Sequence, residues 1–558
     1  VDAPVGSGRL ERSVYGAWII TLGGLALYAY GTIIAKAWFL YDDPELIWTV
    51  ASFPLRELFF SPETVRATTA SYTPMIAVSL KLDWLLFRLD PLGYALHSTG
   101  AALCAAWLFY LFLRLFIPRR PALAGTMLFL VHPATVTVSA WFSTRHYVEG
   151  MIWALAALTT HIRALRRGTS SPAAPLLFGL AALSKEVYVV LPAVAFLLTP
   201  GSGRVRLRST LPWWIVLAGY GAVRLWILGG TGGYPSGSGL FSVETVVGLG
   251  RLAEAFARQW FGPAFFVMCA LAALLAAYGR SRPGILAIAP ILVLPIIPLG
   301  TQDLSAPYTG RYFFHLAGFT VAAIAVVLHR TLNKRGTARG MIAGGITAVA
   351  VLAALQTVAL TGRLGPERAA ARASSEAFRA GTQSFLKPVQ PSWYYEGLRK
   401  ISRDFLGKRI DTRLVPPRRY LKYATPEVLT ELQTAGVDLP YGEISAENRS
   451  LEAGPMDVRI TIDGSRITWE LAAEGPGRFF LIGGPARGLY YHGLPCAPRG
   501  TYDLGAIDRI SDGNFYIRVV HRRADGTEAV SPEFAFTIPG RETFEYKNEG
   551  SGPDVPWP

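Results

Sequence analysis

The feature that most restricts this chain is a series of apolar stretches, each about 17 to 25 residues long, recurring from Ala17 to Leu360. A helix of that length crosses about 30 Å of hydrocarbon, and in lipid every backbone N–H and C=O must find its partner within the protein. Such stretches admit a bundle of spanning helices and little else. After Thr361 the pattern stops, and charges, prolines and glycines run through the remainder without another spanning stretch. Of the 558 residues 51% are hydrophobic and 17% charged, a balance foreign to a soluble protein of this size.

Basic residues gather between the apolar stretches: Arg9 and Arg12; Arg114, Arg119 and Arg120; Arg163, Arg166 and Arg167; Arg204, Arg206 and Arg208; Arg280 and Arg282; Arg330, Lys334, Arg335 and Arg339. By the positive-inside rule these mark the cytoplasmic side. The chain leaves and returns between consecutive clusters, and a final span over 340–361 carries it outward. This predicts about 11 spans, a cytoplasmic N-terminus and an extracytoplasmic C-terminal region. Most of the +15 net charge is then topological, and nucleic-acid binding is not needed to explain it. The first apolar run, Trp18 to Leu40, is too long for a signal-peptide core and reads as a retained span. Of three cysteines, Cys104 and Cys269 fall within predicted spans and Cys496 lies beyond them, so no disulfide framework arises.

With sides assigned, the polar residues of the outer turns become informative. Asp42 and Asp43 stand in WFLYDDPE, where the first span leaves the bilayer and the longest external excursion, Tyr41 to Ala70, begins. A carboxylate at the hydrocarbon centre costs about 2.5 to 3.5 kcal/mol on insertion scales, whereas at the water boundary it is available for acid-base chemistry. The pair equally suits a helix end anchored at the interface. The following SYTPMIAVSLKLDWLLFRLDP mixes Lys81, Asp83 and Arg88 with apolar residues and reads as an interfacial helix.

The second turn, in HPATVTVSAWFSTRHYVEG, carries His132, Arg145, His146 and Glu149. The third breaks an apolar run at LSKEVY with Lys185 and Glu186, which either pair or face a polar cavity. The fifth, QDLSAPYTGRYFFH, carries Asp303, Tyr308, Arg311, Tyr312 and His315. Singly, each has a structural reading: His132 as a helix-end residue, Lys185 and Glu186 as an ion pair, Arg145 and Arg311 as interface anchors. Acids and bases converging on one membrane face point to a site.

Five stretches, YDDPE, YTPMIAVSLKLDWLLFRLDPLGYALH, LFLVHPATVTVSAWFSTRHYVEG, LFGLAALSKEVYVVLP and APYTGRYFFHLAGF, occur in one order over about residues 15 to 330. In that order and spacing the sequence resembles the GT-C class of integral-membrane glycosyltransferases. It is most similar to the branch of the transmembrane and tetratricopeptide-repeat O-mannosyltransferases and their bacterial relatives. The resemblance implies a GT-C helical bundle with its site at the external mouth, in a bacterial inner membrane facing the periplasm. It implies a polyprenyl-phosphate sugar donor, a catalytic base at Asp42 or Asp43, and donor-phosphate binding by Arg145, Lys185 and Arg311. His132, His146, Glu186 and Tyr312 are supporting residues. Two departures matter. Relatives often read HPxHxE where this chain has HPATVT, which leaves His132 alone and a divalent metal open, and no tetratricopeptide repeats follow.

These residue types suit the chemistry implied. A phosphate leaving group needs fixed cations for its developing charge more than it needs an acid, and Arg and Lys supply them as a bidentate fork and a point charge. The attacking hydroxyl must lose a proton, for which a carboxylate set apart from the cations serves, with inversion at the anomeric carbon. On an extended segment adjacent side chains point to opposite sides, so one aspartate faces the acceptor, with Asp42 favoured by the motif's position. The acceptor is an extracytoplasmic protein or glycan. No Gly-rich phosphate loop suggests a nucleotide sugar. The rival reading is a transporter or flippase of a lipid-linked glycan, which would favour internal repeats and midplane charges.

The expected domains are 1–361, the membrane domain; 362–455, a helical and irregular linker region; 456–540, a β-sandwich-like domain; and 541–558, a tail. In the linker, ERAAARASSEAFRAGTQSF and PEVLTELQTAGV are helix formers. Beyond it, MDVRITIDG, RITWELAAE, RFFLIGG, GLYYHG, NFYIRVVHRR and EFAFTIP alternate like strands between Gly, Asp and Pro.

Overall fold

The computed structural model describes residues 7–68, 71–229, 309–332, 338–381 and 384–537, apart from 411, 417, 452–455, 464–465, 474–476, 485–486, 497, 504–513 and 524. Its helices are α1 (Ser7–Ala35), α2 (Asp43–Ser52), α3 (Leu55–Phe60), α4 (Pro62–Thr68), α5 (Pro74–Phe87), α6 (Pro91–Leu113), α7 (Arg119–Leu130), α8 (Pro133–Ala140), α9 (His146–Arg166), α10 (Ala173–Ser184), α11 (Leu191–Leu198) and α12 (Gly203–Leu228). Then come α13 (Phe314–Leu332), α14 (Ala338–Ala380), α15 (Ser392–Leu406), α16 (Arg418–Leu421), α17 (Pro426–Thr434) and α18 (Tyr441–Ser450). Two compact units emerge: Val1–Phe39 with Tyr72–Ala369, and Leu40–Ser71 with Ala370–Pro556.

In the first unit three helices are long and apolar enough to cross a membrane: α1 over Tyr15–Ala35, α6 and α12. Helices α7 and α8 qualify together as a fourth, bent by 52°. The protein is thus an integral multi-pass membrane protein, with three or four such spans among the described residues where about 11 were expected over the whole chain. The stretch 230–308, where further spans were expected, lies outside the described residues. Within them, expected spans are broken by their own polar residues: His132 and Pro133 part α7 from α8, and Lys185 and Glu186 part α10 from α11.

Backbone groups released at such breaks need partners. The Tyr30 hydroxyl donates to Leu130 O at 3.0 Å, and the Thr357 hydroxyl donates to Val131 O at 2.5 Å. Buried Arg368 likewise donates to Ile33 O (2.8 Å) and Lys36 O (3.2 Å) near the end of α1, and to Ala140 O (2.6 Å) at the end of α8. A cation at helix C-termini also offsets their dipoles. Helix α9 packs on α6 and α10, which places the outer turns before α9 and after α10 side by side.

The second unit takes its first segment from the external excursion. Rather than a loop, this segment forms α2, α3 and α4, and α2 packs on α15. Eight strands follow the short parallel pair β1 (Phe385–Leu386) and β2 (Arg413–Leu414): β3 (Met456–Asp463), β4 (Arg466–Ala473), β5 (Gly477–Gly484), β6 (His492–Cys496), β7 (Arg499–Asp503), β8 (Asn514–Arg523), β9 (Glu528–Val530) and β10 (Phe534–Thr537). They make antiparallel sheets ordered β3-β4-β7 and β10-β8-β5-β6, with β9 also on β8.

Residues two apart point to one face of a strand. Trp469 and Leu471 of β4 thereby meet Phe479 and Leu481 of β5 and Ile517 and Val519 of β8 in a core common to both sheets. The alternate face of the larger sheet offers Ile482 and Val520 to Tyr423 and Tyr490.

Candidate functional site

The acidic motif belongs to the second unit, and its two aspartates differ because a helix begins between them. Asp42 is the N-cap residue of α2, Pro44 follows in the first turn, and Asp43 and Glu45 lie near the positive end of the helix dipole. The extended geometry expected for the pair is therefore replaced by a helix start. Asp43 is 1% exposed, and its Oδ2 accepts from the Leu40 amide at 2.8 Å, so it closes the turn into α2. Asp42 is only partly buried and makes no side-chain cap to its own helix. Between span and motif, Tyr41 holds a left-handed φ of 49°, a conformation that side chains with a Cβ avoid. Glu45 is buried and pairs with Lys400 Nζ at 3.0 Å.

The basic candidates belong to the first unit and fall into two groups. Arg145 is fully buried at the turn into α9. Its guanidinium donates to Asp83 Oδ2 at 2.6 Å, to Glu149 Oε1 at 3.0 Å, to Ser79 Oγ at 2.7 and 3.1 Å, and at the limit of hydrogen bonding to Ser98 Oγ and Tyr94 O. Asp83 also meets His97 Nδ1 at 2.5 Å, and Ser79 donates to Glu149. The cluster ties α5, α6 and α9 together, with two carboxylates opposite one arginine. It explains the mixed pattern of the expected interfacial helix: α5 turns Asp83 inward while Leu82, Leu85 and Leu86 stay exposed.

The second group contains Lys185, Glu186, His146, Arg311 and Tyr312. Lys185 pairs with Glu186 at 2.8 Å, and its ammonium lies 5.2 Å from the centre of the Tyr147 ring. Arg311, in the short helical turn Thr309–Phe313, stacks over Trp141 (4.5 Å) and Tyr312 (4.4 Å) and donates to the Tyr312 hydroxyl at 2.7 Å. His146 Nδ1 donates to Ser143 O, 2.7 Å away, and the ring lies within electrostatic reach of Lys185, Glu186 and Arg311. The turns singled out as second, third and fifth therefore do meet. Asp303 and Tyr308 lie outside the described residues.

His132 stands apart from this group as the N-cap of α8, its Nδ1 accepting from Ala134 N at 3.1 Å, the local role anticipated for a helix-end histidine. Two members were missed. Arg224 on α12 acts electrostatically on Glu186 and donates to the Tyr220 hydroxyl at 3.3 Å, and that hydroxyl reaches Tyr72 O. A lone arginine in GAVRLWIL was the available signal, since charge inside an apolar run is costly without a use.

Among the described residues the group brings the cations Lys185, Arg224 and Arg311 together with the carboxylate of Glu186. All four are partly exposed. It can receive an anion, and the planar guanidinium heads suit phosphate oxygens. Among the described residues no cluster of three or more His, Cys, Asp or Glu side chains is placed to hold a metal ion.

Residues 71–226, which carry both groups except Arg311 and Tyr312, match the family model described as dolichyl-phosphate-mannose-protein mannosyltransferase. This part of the membrane region is thus similar to that family. The protein O-mannosyl-transferase Tmtc1 of Drosophila melanogaster is 28% identical over 159 residues, 26% of this chain and 18% of that protein. The protein O-mannosyl-transferase TMTC3 of Mus musculus is 26% identical over 134 residues, 22% of this chain and 15% of that protein. The chain thus spans less than a fifth of the length of these relatives. Among solved structures, ArnT from Cupriavidus metallidurans bound to undecaprenyl phosphate superposes with a TM-score of 0.38 at 15% identity, over 66% of this chain and 82% of that one. The Archaeoglobus fulgidus oligosaccharyltransferase in its apo form gives 0.44 at 14% identity, over 88% and 77%.

Proposed function

We propose that this protein is an inverting glycosyltransferase that moves a sugar from a polyprenyl-phosphate donor to a hydroxyl of an extracytoplasmic protein or glycan. The observation that supports this reading is the gathering of Lys185 and Arg224 at Glu186 and of Arg311 near His146, all but Arg311 inside a region matching a family described by a lipid-phosphate sugar donor. In this reading Lys185, Arg224 and Arg311 hold the donor phosphate and take up the charge that develops as the glycosidic bond breaks. Glu186 orients Lys185, Tyr312 orients Arg311, and His146 lines the same group. Arg145, expected as a third phosphate ligand, is assigned instead to positioning, because its donors are already engaged by Asp83, Glu149 and Ser79. Asp42 is the base for the acceptor hydroxyl, and Asp43 shapes the turn into α2. The basic clusters support a cytoplasmic N-terminus and an extracytoplasmic C-terminal domain.

The test is transfer by the purified full chain in lipid nanodiscs, supplied with polyprenyl-phosphate sugars and a panel of hydroxyl acceptors. Asp42→Asn is expected to lower turnover by at least about 100-fold, the low end for a general base, with donor KM unchanged. Retention of wild-type turnover by Asp42→Asn would remove the assignment. Absence of transfer by the wild type across a broad donor panel would replace the enzyme reading with transport of a lipid-linked glycan.

A further inference from the structure

Helix α15 meets the acidic segment at successive positions along one face. Gly397, Lys400 and Asp404, spaced three and four apart, lie opposite Pro44, Glu45 and Trp48 of α2. At Gly397 a Cβ would stand 2.4 Å from Glu45 N and 2.7 Å from Pro44 C, backbone atoms that cannot swing away, so only glycine permits this approach. Lys400 Nζ bonds Glu45 Oε1 at 3.0 Å and lies 4.4 Å from the centre of the Trp48 ring, and Trp48 Nε1 donates to Asp404 Oδ2 at 2.8 Å. Just before the helix, buried Gln390 accepts the Tyr41 amide at 3.1 Å, at the residue with the left-handed φ.

The pair Glu45 and Lys400 is almost wholly buried on both sides, and Glu45 Oε2 has no hydrogen-bond partner. A buried pair of this kind is a weak source of stability, since desolvation offsets attraction; its best-attested use is to fix one register among several. Here the register fixed is that of the turn bearing Asp42 and Asp43.

We infer that α15 is a positioning element for proton transfer, with Lys400 and Gly397 setting where the Asp42 carboxylate stands; this rests on the reading of Asp42 as the base. Displacement of a reacting group by about 1 Å costs on the order of 100-fold in rate. Lys400→Met in the full chain should therefore lower kcat by about 10- to 100-fold with donor KM unchanged, while Lys400→Arg restores most of it. Hydrogen exchange at amides 41–46 should rise by about 10-fold as the turn opens more often. In an Asp42→Asn background Lys400→Met should add almost nothing, because it acts through a group already removed. Where Lys400→Met alone does not fold, the double variant E45Q/K400M removes both charges together and should show the same exchange and kcat changes.

Unchanged exchange and kcat in these variants, or a full multiplicative loss in the Asp42→Asn background, would overturn the inference. Should Asp42→Asn retain transfer, the base assignment falls, and exchange at 41–46 alone decides whether α15 holds the turn.

Discussion

Arg145 is wholly buried and faces two carboxylates, with serine hydroxyls taking its remaining donors; Lys185 pairs with Glu186, on which Arg224 also acts, Arg311 stacks on Trp141 and Tyr312, and all three keep partial access to solvent. Both groups sit at turns of one unit, and residue type alone makes them look alike. What separates them is exposure. A cation whose hydrogen bonds are all satisfied within the protein has nothing left for a ligand, and a group that keeps some access to solvent has. The first arrangement holds helices together, and the second is where the proposed function puts the donor phosphate.

The largest expected effect tests the first half of this contrast. Arg145→Met would leave Asp83 buried and Glu149 half-buried without their cation, a loss of about 3 to 5 kcal/mol, seen as a collapse of the thermal transition and of monodisperse protein. A variant that instead folds like the wild type and loses only affinity for polyprenyl phosphate would make Arg145 a ligand after all. The second half is tested by Lys185→Gln and Arg311→Gln. Transfer should fall by about 100-fold in each, and by about 10-fold in Arg224→Gln, while stability moves by no more than about 0.5 kcal/mol. Binding of polyprenyl phosphate lacking a sugar should weaken in parallel, and equal losses of stability and activity would erase the distinction.

The smallest effect comes from a compensated group in the second unit. Burial pushes the Glu528 carboxyl up, but hydrogen bonds from Lys422, Arg522 and Tyr423 outweigh it and hold the group below the ordinary carboxylate range. A folded-state value below the unfolded one, about 4.3, contributes stability above that pH that is lost as pH falls through the folded value. Glu528→Gln should therefore narrow the difference in unfolding midpoint between neutral pH and about pH 3, followed by intrinsic tryptophan fluorescence. An unchanged difference would mean that these contacts contribute nothing to the sheet region.

The strands of the second unit were legible because alternation survives in the letters: Trp469 and Leu471, Phe479 and Leu481, Ile517 and Val519 are each two apart and share one core. β7 and β9 were not, being five and three residues long with little alternation to read. The Asp-Asp-Pro-Glu sequence carried a helix-start signal that was read as extended chain, and so the unlike surroundings of Asp42 and Asp43 went unseen. Lys185, His146 and Arg311 were readable as a group because each interrupts apolar sequence at an outer turn. The burial of Arg145 was not, since Asp83 lies 62 residues away and Ser79 lies 66. Lys400 was still less visible, its partner Glu45 being 355 residues distant.

The bend between α7 and α8 bears on how much sequence change this membrane region tolerates. Two carbonyls at the bend rely on hydroxyls contributed from afar, by Tyr30 and Thr357. Replacing either residue by Phe or Val barely alters a hydropathy profile, yet strands a polar group where no water can reach it. Drift at these two positions is therefore constrained to hydroxyl-bearing side chains, while neighbouring lipid-facing positions such as Leu27 are free to exchange among apolar residues.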